Sequence, residues 1–131
     1  MVLICGIPNA GKTTFSGRFQ NVIHYDHLRM TSRDRIDYIL RAASDPKVCV
    51  DGVFGKRKLR ERIAAIAGDK VCIWLDTPVE VCLEREQNYR KRPEGLVLRY
   101  ARMFEPPTLE EGWDVIMRIT EHECHYLKRE A

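Results

Sequence analysis

The residues with the clearest chemical meaning form a glycine-rich segment near the start of the sequence. The segment spans Gly6–Thr13, reads GIPNAGKT, and matches the phosphate-binding pattern G-x-x-x-x-G-K-[ST] in full. Its two glycines let the backbone bend so that successive N–H groups surround a β-phosphate. The lysine then reaches the β- and γ-phosphates, and the threonine hydroxyl joins the shell of a Mg²⁺ ion. We therefore predict a site for a nucleoside triphosphate and Mg²⁺.

The predicted nucleotide contacts lie in this loop and at the start of the helix expected after it. They are Gly6, Pro8, Asn9, Ala10, Gly11, Lys12, Thr13 and Thr14. Thr13 is also a predicted metal ligand. Asp51, at the end of a later apolar run, is predicted to belong to the metal site by contacting the groups that bind the ion. The alternative for Asp51 is an ordinary turn residue.

An acidic and a basic residue, Asp26 and Arg29, are the candidates for binding the acceptor. Asp26 ends an apolar run, and strand ends of a parallel sheet open onto the ligand crevice. A carboxylate there can accept the proton of a hydroxyl that attacks the γ-phosphate, and Arg29 can hold an acceptor phosphate. Spacing alone slightly favours a helix-capping Asp26 and a solvated Arg29. His24 and His27 flank the aspartate, and we interpret them as partly exposed residues with no role; the alternative is that they tune the Asp26 carboxylate.

A dense group of cations follows the fourth apolar run. Arg85 and Arg92 fall on one helical stripe, and we predict that residues 85–93 or so form a lid whose arginines close over the phosphates. The alternative is a solvated basic helix face. Neither a guanine-specific Asn-Lys-x-Asp string nor an acidic residue after Asp51 is present, which argues against a GTPase switch and a mechanical ATPase. A small phosphotransferase remains.

The elements that must position these groups alternate along the chain, with short apolar runs between helical patterns. The predicted strands are Val2–Ile7, Val22–Tyr25, Lys47–Asp51, Val71–Leu75 and Asp114–Ile119. We expect a three-layer α/β fold of the P-loop NTPase and kinase type, with a five-stranded, mostly parallel sheet in the order 2-3-1-4-5. The residues after Ile119 are expected to form a polar tail or a helix.

The helical segment predicted over Lys56–Ala67 has both apolar and basic residues. Its spacing places Leu59, Ile63 and Ile66 inward, with Arg57, Lys58, Arg60 and Arg62 largely outward. The other predicted helices contain Phe15 and Phe19, span Asp34–Ala43, run from Thr77 toward Arg92, and contain Val97 and Phe104.

Length and composition limit the possible classes of protein. The chain has 131 residues, of which 44% are hydrophobic and 31% charged, and we expect one domain over 1–131. A net charge of +3 is too small to indicate a nucleic-acid or membrane partner. No apolar run is long enough to span a membrane, and the strand-like start leads us to expect no leader peptide. Five widely spaced cysteines suggest free thiols in a reducing, cytoplasmic compartment.

In the order of its motifs the sequence resembles the kinase domains of the polynucleotide 5′-hydroxyl kinase family, from phage-type enzymes to the kinase-phosphatases of DNA repair. The resemblance runs from Val2 to about Ile119. Its most specific part is the segment FEPPTLEEGW at 104–113, which is similar to the Phe-Glu-x-Pro-Thr-x-x-Glu-Gly-aromatic segment after the lid of the kinase-phosphatases.

This resemblance implies roles for single residues. It implies catalytic roles for Lys12 and for Asp26, with Asp26 as the general base for a 5′-hydroxyl. It also implies that Arg85 or Arg92 is a catalytic lid arginine at the nucleotide phosphates. Arg29 would contact the phosphate 3′ of the reacting nucleotide. The sequence departs from the family at Gly52-Val53-Phe54, where relatives tend to have a polar string, and at Tyr25, where relatives often have arginine. Tyr25 either stacks on a nucleobase or completes a strand.

The leading hypothesis is an ATP- and Mg²⁺-dependent kinase that phosphorylates the 5′-hydroxyl of DNA or RNA. A kinase of a nucleoside, sugar or amino alcohol uses the same chemistry and is the second hypothesis. A module that binds a nucleotide without transferring phosphate is the third.

Overall fold

The chain folds around one six-stranded sheet. In the computed structural model, which describes residues 1–66, 68–89 and 93–130, the strand order is β2-β3-β1-β4-β5-β6. The strands are β1 (Val2–Cys5), β2 (Asn21–His24), β3 (Val48–Asp51), β4 (Val71–Leu75), β5 (Val115–Ile119) and β6 (Cys124–Lys128). The first five pair in parallel in the predicted order, which confirms the predicted α/β fold.

The sixth strand is a correction to the sequence prediction. Residues after Ile119 were expected to form a polar tail or a helix, but β6 pairs antiparallel with β5, with Cys124 opposite Ile119. The connecting turn is closed by hydrogen bonds between Thr120 and Glu123, including one from the Thr120 amide to the Glu123 carbonyl at 2.9 Å. All five residues of β6 are exposed, so the strand lacks the buried alternation from which strands are recognised.

In the described part of the chain, five helices cover the two faces of the sheet. They are α1 (Lys12–Ser16), α2 (Ser32–Ala42), α3 (Arg57–Ile66), α4 (Val79–Tyr89) and α5 (Leu96–Met103), with single 3₁₀ turns at Tyr25–His27 and Leu109–Glu111. The first is shorter than predicted because it ends at Gly17, yet the rings of Phe15 and Phe19 still lie 6.5 Å apart. None of the helices in the described ranges is long and apolar enough to cross a membrane.

The core lies on both sides of the sheet, since successive strand residues point to opposite faces. On one face Leu3 and Val50 pack with Ile63 of α3 and with Trp113. On the other face Ile4 packs with Ile73, Cys82 of α4 and Val97 of α5. Helices above and below the sheet give the three predicted layers.

The orientation of α3 differs from the prediction at two residues. Arg60, expected to point outward, is completely buried, whereas Ile66, expected to point inward, is 44% exposed. Arg60 is buried because it pairs with Glu111, which lies 51 residues further along the chain. Helical spacing contains no information about such a distant partner.

Candidate active site

The phosphate loop joins the end of β1 to the start of α1, as predicted. Asn9 and Gly11 have the positive φ angles of 68° and 101° that turn the chain back toward the helix. At Gly6 a Cβ atom would lie 2.9 Å from the Leu75 carbonyl oxygen, so only glycine fits where the loop passes the end of β4. Glycine is therefore required at both positions, at Gly6 because a side chain would clash and at Gly11 because φ is positive.

Lys12 lies inside the loop. Its side chain is almost completely buried, and its Nζ donates to the carbonyl oxygens of Gly6 and Ile7, each at 2.8 Å. The ammonium group is thus held at the centre of the loop, where the pattern predicts the phosphates to bind. Thr13 and Thr14 follow on α1 and are exposed.

The loop is also bound by side chains from the segment after β4. The Thr77 hydroxyl donates to the Ala10 carbonyl at 2.8 Å, and Arg85 Nη1 donates to the Asn9 carbonyl at 2.7 Å. The Asn9 amide in turn donates to the Cys82 carbonyl at 3.4 Å. The structure thus brings Arg85 onto the phosphate loop. Arg92 and residues 90 and 91 of the predicted lid lie outside the described residues.

Asp26 lies in the 3₁₀ turn that follows β2, at the carboxyl ends of the parallel strands, where the phosphate loop also lies. The carboxylate is exposed, and its Oδ2 accepts the backbone N–H of Val53 at 2.9 Å. The carbonyl of the same Val53 accepts the backbone N–H of Gly6 at 3.3 Å. One residue therefore connects the predicted base to the first residue of the phosphate loop. Arg29, three residues after Asp26, is also exposed.

Asp51 ends β3 and is paired with a histidine that the sequence reasoning did not assign a role. His24 Nδ1 lies 2.8 Å from Asp51 Oδ2, and the two residues are register partners on β2 and β3. His24 is partly exposed, and its contact with the Asp51 carboxylate is one that its position in the sequence does not predict. The one available signal was that both residues end neighbouring strands.

The donor set fits an ion that arrives with a nucleotide. No group of three or more His, Cys, Asp or Glu side chains able to hold a metal occurs in the described part of the chain. Mg²⁺ in phosphate-transfer sites is bound by one or two protein oxygens together with phosphates and water. The Thr13 hydroxyl and the Asp51 carboxylate are oxygen donors of this kind, so the residues present are compatible with Mg²⁺.

Tyr25 belongs to the core instead of a base-stacking surface. It is buried, and its ring lies 4.8 Å from the ring of Phe54. The Arg35 guanidinium lies 5.3 Å from the centre of the Tyr25 ring on the side of α2. Burial raises the pKa of the Tyr25 hydroxyl, although the charge of Arg35 acts in the opposite direction. The burial of Tyr25 therefore argues against stacking on a nucleobase. Tyr25 does not complete a strand either, because β2 ends at His24 and Tyr25 begins the 3₁₀ turn.

A cavity of about 190 Å³ opens beside the loop at the end of β4, where no motif had indicated one. Its walls include Ile7 of the loop and the rings of Trp74 and Phe104, which stack with their centres 6.1 Å apart. A larger depression of about 370 Å³ lies along α2 at Asp37 and Arg41 and is lined by no residue of the loop. Only the smaller cavity adjoins the predicted chemistry.

Comparison with solved structures identifies the architecture. The sequence matches no protein-family model and no curated protein. A gluconokinase from Sinorhizobium meliloti 1021 superposes with a TM-score of 0.71 at 17% identity, covering 93% of this chain and 82% of the other. This chain has the fold of the P-loop kinases.

Two further structures with this fold are similar to the chain. A sugar kinase from Janibacter sp. HTCC2649 gives a TM-score of 0.65 at 17% identity, over 91% of this chain and 83% of the other. The APS kinase of Mycobacterium tuberculosis, in complex with AMPPNP and APS, gives 0.58 at 17% identity, over 93% and 88%. The chain thus spans most of the length of these P-loop kinases.

Proposed function

We propose that the protein is an ATP-dependent phosphotransferase that moves the γ-phosphate to a hydroxyl group. The observation that carries this proposal is the Val53 residue, which contacts both Asp26 and the start of the phosphate loop. A kinase needs a carboxylate beside the γ-phosphate, and this link joins Asp26 to the loop that we propose binds the phosphates. The proposed catalytic unit spans residues 1–131 with a lid at about 85–93.

In the proposed reaction the Asp26 carboxylate takes the proton of the acceptor hydroxyl. The hydroxyl oxygen forms a bond to the γ-phosphorus as the bond to the bridging β–γ oxygen breaks, and ADP leaves. Lys12, with Arg85 and Arg92 of the lid, neutralises the charge that develops on the phosphates. When bound to Thr13 and near Asp51, Mg²⁺ would supply further neutralisation of the phosphate oxygens.

For the acceptor we propose the 5′-hydroxyl of a polynucleotide, DNA or RNA. The proposal rests first on the resemblance in motif order and in segment 104–113. It is supported by Arg29, which follows Asp26 by three residues and is exposed. An acceptor phosphate beside Asp26 would give this guanidinium a ligand.

A small-molecule kinase is the second candidate, and the compared structures favour it. They are kinases of a sugar, of gluconate and of APS, all small acceptors. The chemistry and the roles of Lys12 and Asp26 would be the same. In either case we propose a reducing, cytoplasmic compartment, since four of the five free cysteines are buried as thiols.

The test is transfer of labelled γ-phosphate from ATP in the presence of Mg²⁺. The acceptors are DNA and RNA strands with a 5′-hydroxyl, the same strands with a 5′-phosphate, and gluconate as a small acceptor. We expect label only on the 5′-hydroxyl strands. Asp26→Ala should abolish transfer while ATP binding persists, and Asp37→Ala, the same substitution at an exposed position on α2, serves as the matched control.

Each alternative predicts a different result. Label on gluconate alone supports the small-molecule kinase. ATP binding without transfer to any acceptor supports a non-catalytic module. For a strand acceptor, KM should rise steeply with salt because phosphate contacts release counterions, whereas a neutral acceptor should show little change.

A further inference from the structure

The segment Gly52–Gly55, where the sequence departs from its relatives, forms a backbone connection between donor and acceptor sites. Gly52 N–H donates to the Ile4 carbonyl at 3.1 Å, which ties the segment to the end of β1. Val53 then donates to Asp26 and accepts from Gly6. Because β3 lies between β2 and β1 in the sheet, its continuation reaches both neighbours at once.

This segment is held in a conformation that it would not adopt alone. Phe54 has a positive φ of 43°, which is strained for a residue with a side chain. Its ring packs on Tyr25 and against Gly52, where a Cβ atom would lie 2.8 Å from the ring. The Phe54 carbonyl accepts Arg60 Nη1 at 2.7 Å, and the Gly55 carbonyl accepts the Glu105 amide at 2.8 Å. Contacts on both sides therefore maintain the strained geometry.

Arg60 is held by the segment that carries the family resemblance. Its Nε and Nη2 donate to the two carboxylate oxygens of Glu111 at 2.8 and 2.9 Å, and both side chains are completely buried. The same carboxylate accepts the Thr108 amide and the Trp113 indole N–H at 3.0 and 3.1 Å. Burial alone would lower the pKa of Arg60, but the hydrogen bonds and charge of Glu111 raise it, so the guanidinium stays charged.

We infer that Arg60 is a positioning residue, which acts through Phe54 and Val53 to hold the Asp26 carboxylate in register with the phosphate loop. The inference rests on the proposed function in that Asp26 is the base. It assigns a task to the motif at 104–113, whose Glu111 is buried and holds Arg60. Glu111 fixes Arg60, Arg60 fixes the Phe54 carbonyl, and the N–H of the preceding residue, Val53, holds Asp26.

The test compares Arg60→Lys with Arg57→Lys, the same substitution on the exposed side of the same helix. A lysine retains the charge for Glu111 but lacks the planar fork that also reaches Phe54. We expect Arg60→Lys to bind AMPPNP as wild type does while kcat falls about 100-fold, as a displacement near 1 Å can cause. Arg57→Lys should retain both. Unchanged kcat in Arg60→Lys, or an equal loss of AMPPNP binding, would overturn the inference.

A second pair of variants covers the case in which Arg60→Lys does not fold. Gly52→Ala removes no charged group but pushes a methyl into the Phe54 ring, whereas nothing lies within 4 Å of a Cβ at Gly68. We expect Gly52→Ala to lower kcat with AMPPNP binding intact and Gly68→Ala to have no effect. Equal kcat values for the two variants would contradict the positioning role.

A readout that needs no activity separates this inference from the proposed function. In ¹⁵N-labelled protein the Val53 amide should be protected from hydrogen exchange, and Asp26→Ala should accelerate its exchange. Arg60→Lys should accelerate it too, by about tenfold or more, because opening of this hydrogen bond becomes easier. If wild type transfers no phosphate but these shifts occur, the positioning stands and the proposed reaction fails. Unchanged Val53 exchange in Arg60→Lys refutes the positioning.

Discussion

Replacement of Glu111 by glutamine should destabilise the protein severely, although the two side chains have the same shape. Each Glu111 oxygen accepts two donors, one from Arg60 and one from Trp113 or from Thr108. In glutamine one oxygen becomes an NH₂ group, so in either orientation two buried N–H donors lose their acceptor. Each orphaned donor costs about 1–3 kcal/mol, which sums to about 2–6 kcal/mol. Loss of one partner from a buried ion pair gives about 3–5 kcal/mol.

The assay is urea unfolding followed by far-ultraviolet circular dichroism. With a slope near 2 kcal/mol per molar urea, the expected loss lowers the midpoint by about 2 M. The control is Glu61→Gln, which breaks the half-exposed pair with Arg57 on α3 and should cost about 0.5 kcal/mol or less. A free energy of unfolding within about 1 kcal/mol of wild type for Glu111→Gln would refute the reasoning.

Three further predictions concern the lid and the thiols. Arg85→Ala should lower kcat about 100-fold or more, because this arginine contacts the phosphate loop, whereas Glu84→Ala on the exposed side of α4 should leave kcat unchanged. A thiol reagent such as DTNB should label only Cys124 rapidly in the native protein, and Cys124→Ser should remove that phase, since the other four cysteines are buried. Burial raises the pKa of Cys49 to about 12, against about 8.5 in an unfolded chain. The unfolded state therefore loses this proton first, so the free energy of unfolding falls as pH rises from about 8.5 toward 12. In urea titrations at several pH values, Cys49→Ala should reduce the slope of this fall by up to about 1.4 kcal/mol per pH unit.

The phosphate loop and the sheet order could be predicted because their signals are local. Gly6 and Gly11 stand where the backbone cannot carry a side chain or where φ is positive, and the pattern records that requirement directly. Strands buried on both faces appear as short apolar runs, and right-handed crossover connections leave few possible orders. The edge strand β6 was not predicted because all of its residues are exposed, so its sequence lacks the alternation of apolar and polar residues that marks a half-buried strand.

What the sequence determined by itself is the chemistry available: a lysine and a threonine in a glycine-rich loop of the phosphate-binding pattern, an aspartate at the end of an apolar run, and an arginine in a basic segment predicted to be a lid. Only the tertiary structure decided which groups hold them. Arg60 looked like a solvated cation because helical spacing cannot show a carboxylate that lies 51 residues further along the chain. The sequence also indicated no partner for His24, which the register of β2 and β3 places beside Asp51. Residue types decide what reactions are possible, but burial and hydrogen bonding depend on partners that only the folded chain brings together.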